Sequence, residues 1–135
     1  MGTSGTTSHL VGRLCKGHEV IYKQGESGDT MYVVQLGQVE IIQRKGNNEY
    51  CLAVIGEGDF FGEMALFGYP VRAATARAAE DGAVIISLEK KAFLKRLHFD
   101  ASLAFNMLKK MADRIQHLEK ELVQYAEAAL PPELQ

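Results

Sequence analysis

From His18 to about Leu88 the chain alternates short apolar runs with polar breaks rich in glycine. The runs are HEVIY at 18–22, TMYVVQ at 30–35, QVEIIQR at 38–44, EYCLAVI at 49–55, RAATARAAE at 72–80 and AVIISL at 83–88. Alternation bounded by turn residues predicts strands. KQGESGD after the first run reads as a turn, and KGNN at 45–48 as a hairpin loop. Strands this short and this regularly spaced predict a barrel or a sandwich. No repeat of solenoid length is present.

Beyond Ser87 the period changes. Ser87 reads as an N-cap, with Leu88, Phe93, Leu94 and Leu97 near helical spacing behind it. Asp100 reads as a second N-cap. A long helix is predicted from about Ala101 to Leu130, stopped by Pro131 and Pro132. Along it Ala104, Leu108, Met111, Ile115, Leu118, Leu122, Tyr125 and Ala129 follow one another in steps of four and three. That period is the coiled-coil one, and Lys110, Glu119 and Glu121 fit its charged borders. Leu103 and Met107 fall beside the seam, so the first turns can rest on the chain's own barrel. The half from about Ile115 onward is expected to meet a second copy and form a homodimer.

The stretch GDFFGEMALFGYPVRAATA, residues 58–76, carries the candidate chemistry. It is apolar, yet it keeps Glu63 and, nine residues later, Arg72. A charge in an apolar segment needs a partner. An internal Glu63–Arg72 ion pair would meet that need. A ligand would meet it as well. Gly62 permits close approach of backbone to a bound group. EMALF is long enough for one or two helical turns ending at Gly68. Free N–H groups at the start of such a turn favour an anion, usually phosphate. Arg72, expected on the following strand, offers a fork suited to two phosphate oxygens. An ionised Glu63 only accepts hydrogen bonds and so suits hydroxyls. A ligand with one phosphate beside one hydroxyl, such as a cyclic nucleotide, satisfies both residues.

Composition narrows the classes. The chain has 135 residues, 47% of them hydrophobic and 24% charged, which is ordinary for one globular domain. A formal net charge of −2 supplies no basic field for nucleic acid. Cys15 and Cys51 have no metal-type spacing and read as two reduced thiols in a cytoplasmic protein. No apolar run approaches the roughly 20 residues that cross a bilayer, so no membrane role is expected. MGTSGTTS at 1–8 reads as a disordered tail. His9, His18, His98 and His117 lack ligand spacing, Gly56-x-Gly58 is not a dinucleotide fingerprint, and no nucleophile–base set is visible. The expectation is a non-enzyme with no catalytic residues, no metal and no cofactor.

The 58–76 stretch resembles the phosphate-binding cassette of the cyclic-nucleotide-binding domain family, found in kinase regulatory subunits, gated channels and bacterial regulators. GESGDTMYVVQLGQVEI is similar to an earlier stretch of the same family through Gly25, Gly28, Asp29, Tyr32, Gly37 and Val39. The likeness covers about residues 17–125. It implies a mainly β fold, an eight-stranded jelly-roll barrel with C-terminal helices. It implies that Glu63 takes the ribose hydroxyl and Arg72 the cyclic phosphate, with Gly62, Met64 and Ala65 offering backbone groups. Ala73, followed by Ala74, goes with cAMP in eukaryotic relatives, where threonine goes with cGMP. Arg114 stands where bacterial regulators carry an arginine that can pair with the cassette glutamate. Ile115, Leu118 and Glu119 would lie near the base.

The sequence departs from the family in lacking a helix before the barrel and room for a helix-turn-helix after it. Direct binding to nucleic acid is therefore not expected. The division implied is a tail at 1–8, a barrel at 9–99, a dimerising lid helix at 100–130 and a tail at 131–135. The reading is a cyclic-nucleotide sensor, most simply for cAMP, whose ligand moves the C-terminal helix. The alternatives kept open are a sensor piece of a bacterial regulator or channel, and an adaptor of the same fold binding cGMP, cyclic di-GMP or nothing.

Overall fold

The computed structural model describes residues 12–134; the tail expected at 1–8, His9 and Gln135 lie outside them. Six strands pair antiparallel in the order β1-β6-β3-β4, with β2 added to β6 and β5 to β3. They are β1 Arg13–Cys15, β2 Val20–Tyr22, β3 Thr30–Lys45, β4 Asn48–Ile55, β5 Phe60–Phe61 and β6 Thr75–Glu89. A 3-10 helix, Glu63–Phe67, sits between β5 and β6. Helices α1, Lys90–Phe99, and α2, Ala101–Ala129, follow, with a last 3-10 turn at Pro132–Leu134. The mainly antiparallel β architecture with C-terminal helices agrees with the expected fold.

The two longest strands, β3 with 16 residues and β6 with 15, form the spine. Each absorbs two of the runs that the sequence pattern separates. The breaks expected at Gly37 and before Ala83 are bends instead. Gly37 and Gly82 both have positive φ, 78° and 83°, and the β3–β6 register shifts between Gly37 and Val39. A Cβ on Gly37 would stand 2.3 Å from the Gly82 carbonyl oxygen. Glycine lets both strands turn there without losing their pairing. Alternate residues of the spine fill the interior: Val34, Val39, Ala76, Ala78 and Ile85 have no exposed surface. Burying a side chain such as Ile85 contributes about 1.5–3 kcal/mol.

Two expectations about element ends are corrected, and two short strands are added. Ser87 does not cap a helix; it pairs with Tyr32 inside β6, and Leu88 is buried opposite Met31. Cross-strand pairing outweighs the local helical spacing, and α1 starts only at Lys90. The strand expected from Arg72 starts at Thr75, because Arg72 is engaged by the 24–28 loop through its N–H to the Glu26 carbonyl at 2.8 Å and its own carbonyl to the Gly25 N–H at 2.8 Å. β1 and β5 were not expected; at three and two residues they carry no periodic signal.

The chain divides into two compact units between Leu94 and Lys95. In the second, Asp100 caps α2 as expected: its Oδ1 accepts from the N–H of Ser102 at 3.1 Å and of Leu103 at 3.2 Å. The Ser102 hydroxyl donates to the same oxygen, and its bond, with those of the two amides, holds the carboxyl below the usual carboxylate range. The helix runs 29 residues and ends before the prolines. Met107 is buried, while Leu108, Ile115, Leu118, Leu122 and Tyr125 of the seam are each more than half exposed, at 56–77%.

Candidate functional site

Glu63 and Arg72 are the charged residues buried among the described ones, at 7% and 6% exposure. The cassette between them is built as the sequence implies. Gly62 has φ 75° and precedes the 3-10 helix; Gly68, φ 95°, ends it, and its N–H donates to the Met64 carbonyl. Only glycine holds these two left-handed positions without strain. Ala65 and Leu66 face inward, Met64 outward.

The Arg72 guanidinium is held from several sides. Nη1 donates to the Gly62 carbonyl at 3.0 Å and Nη2 to the Thr30 carbonyl at 2.8 Å. The Tyr22 ring lies over it, 4.1 Å from Cζ to the centroid. A Cβ on Gly28 would stand 2.6 Å from Nη2, and one on Gly62 would stand 3.0 Å from Nη1. The backbone at both glycines thus packs against the guanidinium itself. Two of its five N–H groups are spent on carbonyls, which anchors the two Nη ends while leaving donors for an anion. The loop 24–28 braces the segment through the Gly28 N–H to the Pro70 carbonyl at 2.9 Å and a bridge between Ser27 and Val71. Gln43 Nε2 donates to the Ala73 carbonyl at 3.2 Å. Ala73 is exposed and Ala74 buried.

Tyr22, Tyr32 and Phe61 form an aromatic cluster behind the cassette, with centroids 6.0, 6.1 and 5.2 Å apart. Burial pushes the Tyr22 hydroxyl up to about 12, Arg72 opposing and Glu63 reinforcing the rise. Tyr22 therefore presents a neutral ring at physiological pH. At the far end of the cassette Phe67 meets Phe93 of α1 edge-on, centroids 6.5 Å apart.

The structure brings Gly62, Glu63, Met64, Ala65 and Arg72 together around one turn, with Ala73 and Ala74 leaving it toward β6. Arg114, half-buried, and Leu118, 61% exposed, belong to α2 in the second unit. Sequence reasoning did not find Tyr22 or the Thr30 carbonyl. Tyr22 looked like any strand aromatic, and a backbone acceptor has no residue signature.

A second groove, about 830 Å³, opens beside Lys23, Gln24, Arg44, Glu49, Thr75 and Arg77. Its arginines are already partnered: Arg44 with Glu49 at 2.7 Å and Arg77 with Glu40 at 3.0 Å. That network reads as sheet-surface ion pairing. Among the described residues no three His, Cys, Asp or Glu side chains cluster as metal ligands, and no helix is long and apolar enough to cross a membrane. Cys15 is buried and Cys51 exposed, both as free thiols.

Comparison with known proteins agrees with this geometry. The family profile described as "Cyclic nucleotide-binding domain" matches residues 13–98. The cGMP-dependent protein kinase egl-4 of Caenorhabditis briggsae is 38% identical over 81 residues, 58% of this chain and 11% of the kinase. The Cyclic AMP receptor protein of Thermus thermophilus is 32% identical over 124 residues, 90% of this chain and 57% of that protein. The crystal structure of the Thermus thermophilus catabolite activator protein superposes with a TM-score of 0.76 at 27% identity, covering 92% of this chain and 58% of that one. This chain spans only part of the length of each of these relatives.

Proposed function

The chain belongs to the cyclic nucleotide-binding domain family, and from that premise we propose that it is a non-catalytic cytoplasmic sensor that takes cAMP in preference to cGMP and passes occupancy to its C-terminal helix. The observation that carries the reading is Arg72: a buried guanidinium, anchored at both Nη ends by the Gly62 and Thr30 carbonyls, with donors to spare. A preorganised charge of this kind suits a cyclic phosphate, since its desolvation is already met by the protein. Glu63 begins the same 3-10 turn and suits the ribose hydroxyl. The backbone of Gly62, Met64 and Ala65 lines that turn, and Ala73 and Ala74 leave the base side small. Arg114 and Leu118 are proposed to close over the ligand from α2.

The coupling route starts at Phe67. It ends the cassette turn and touches Phe93 of α1, so a ligand that tightens the cassette acts directly on the helix leading to α2. The exposed seam from Leu108 to Tyr125 supports a homodimer, because so much aligned apolar surface favours a partner helix. A net charge of −2 supports action through protein partners rather than direct contact with nucleic acid. Titration calorimetry with cAMP, cGMP and cyclic di-GMP tests the reading; no heat of binding with any of them would reject it. A second reading, cGMP as the ligand, draws on the 38% identity to a kinase named for cGMP dependence, and the same titrations decide between them.

A further inference from the structure

Nothing in the motif pattern gives Tyr22 a role, and its packing beside the core explains only its burial. Its ring, however, sits 4.1 Å from the Arg72 Cζ, well inside the roughly 6 Å reach of a cation–π contact. The ring is itself braced by Tyr32 and Phe61. Phe61 pairs with Tyr32 across β5 and β3 and directly precedes Gly62. The aromatic cluster therefore ties together the segments that supply the two carbonyl acceptors of Arg72 and the ring that covers it.

We infer that Tyr22 is a positioning residue for the ligand's phosphate: stacked on Arg72 and backed by Tyr32 and Phe61, it sets the plane in which the guanidinium meets the phosphate oxygens. The two carbonyls fix the Nη ends but still allow rotation about the line joining them. The ring opposes that rotation, and the backbone at Gly28 packs against the group beside Nη2 and Nε. This inference rests on the cyclic-nucleotide reading of the site.

The test compares Tyr22→Phe, which keeps the aromatic face, with Tyr22→Leu, which keeps apolar volume and loses it. Calorimetry is run with cAMP and with its Sp and Rp phosphorothioates, which place sulfur on one or the other exocyclic phosphate position. Tyr22→Leu is expected to weaken cAMP binding about 2- to 30-fold, the range of a cation–π contact. It is also expected to shrink the Sp/Rp affinity ratio, whereas Tyr22→Phe retains both. In the ligand-free chain, the NMR signal of the Arg72 Nε proton should carry a ring-current shift that Tyr22→Leu abolishes and Tyr22→Phe preserves. If Tyr22→Leu fails to fold, Tyr22→Met replaces it. Equal weakening of both phosphorothioates at an unchanged ratio, or no weakening, overturns the positioning role while leaving the site reading intact. Failure of the unaltered chain to bind any cyclic nucleotide overturns both, even with the ring-current shift present.

Discussion

Replacing Arg72 with alanine removes a group that serves the fold and the ligand at once, so its two costs can be worked out separately. For the fold, the change strips the Gly62 and Thr30 carbonyls of their donors and uncovers the Tyr22 ring. A buried acceptor left without a partner costs about 1–3 kcal/mol, and water entering the vacated space brings each towards the lower end. A total of about 2 kcal/mol follows, because the buried charge also leaves and with it its own desolvation cost. At this chain length that is a drop in Tm of roughly 6–10 °C. For the ligand, truncating one side of a desolvated charge pair costs on the order of 2–5 kcal/mol of affinity. Differential scanning calorimetry of the ligand-free variant reads the first, and titration with cAMP on folded protein reads the second. An unaltered Tm would refute the role of the carbonyl clasp. Unaltered cAMP affinity in a folded variant would refute the phosphate site.

Ala73 leaves no hydroxyl at the exposed start of the segment leading into β6, so cAMP should outcompete cGMP, and Ala73→Thr should improve cGMP binding by about 1 kcal/mol, one net hydrogen bond; a competition titration in which the unaltered chain already prefers cGMP contradicts this. Leu118→Asp places a charge in the exposed seam and should lower the dimer fraction in sedimentation experiments, with reduced cAMP affinity as well if Leu118 covers the base. Spin labels at Gln116 and Gln124 should report altered inter-subunit distances with saturating cAMP; identical distances with and without it would leave α2 as a static clamp. The Asp100 carboxyl lies below its ordinary value because the Ser102 hydroxyl and the first α2 amides bind its ionised form, so the cap is complete at neutral pH and is lost as the pH falls through that lowered value. Asp100→Asn, which keeps a cap acceptor, should hold the helical circular dichroism that Asp100→Ala loses; equal helicity in both would show that the cap is dispensable.

The features readable from the chain alone are those whose causes lie within a few neighbouring residues. Gly62 and Gly68 bracket EMALF because glycine alone takes left-handed backbone cheaply. Asp100 caps α2 because its carboxylate reaches amides two and three residues on. The four-and-three seam specifies a helix with one apolar stripe wherever that helix packs. Glu63 and Arg72 stood out because a charge inside an apolar run needs an explanation. Tertiary structure decided what depends on distant partners. Ser87 and Leu88 are strand residues because Tyr32 and Met31 lie opposite them. Gly37 and Gly82 bend their strands rather than end them because the two strands turn against each other. Arg72 is clasped by carbonyls of Gly62 and Thr30 and covered by Tyr22, and those partners come from three separate stretches of chain. Local propensity acts over a turn or two of backbone. Packing and hydrogen bonding act through space, so only the folded chain shows which aromatic ring and which carbonyl the buried arginine meets.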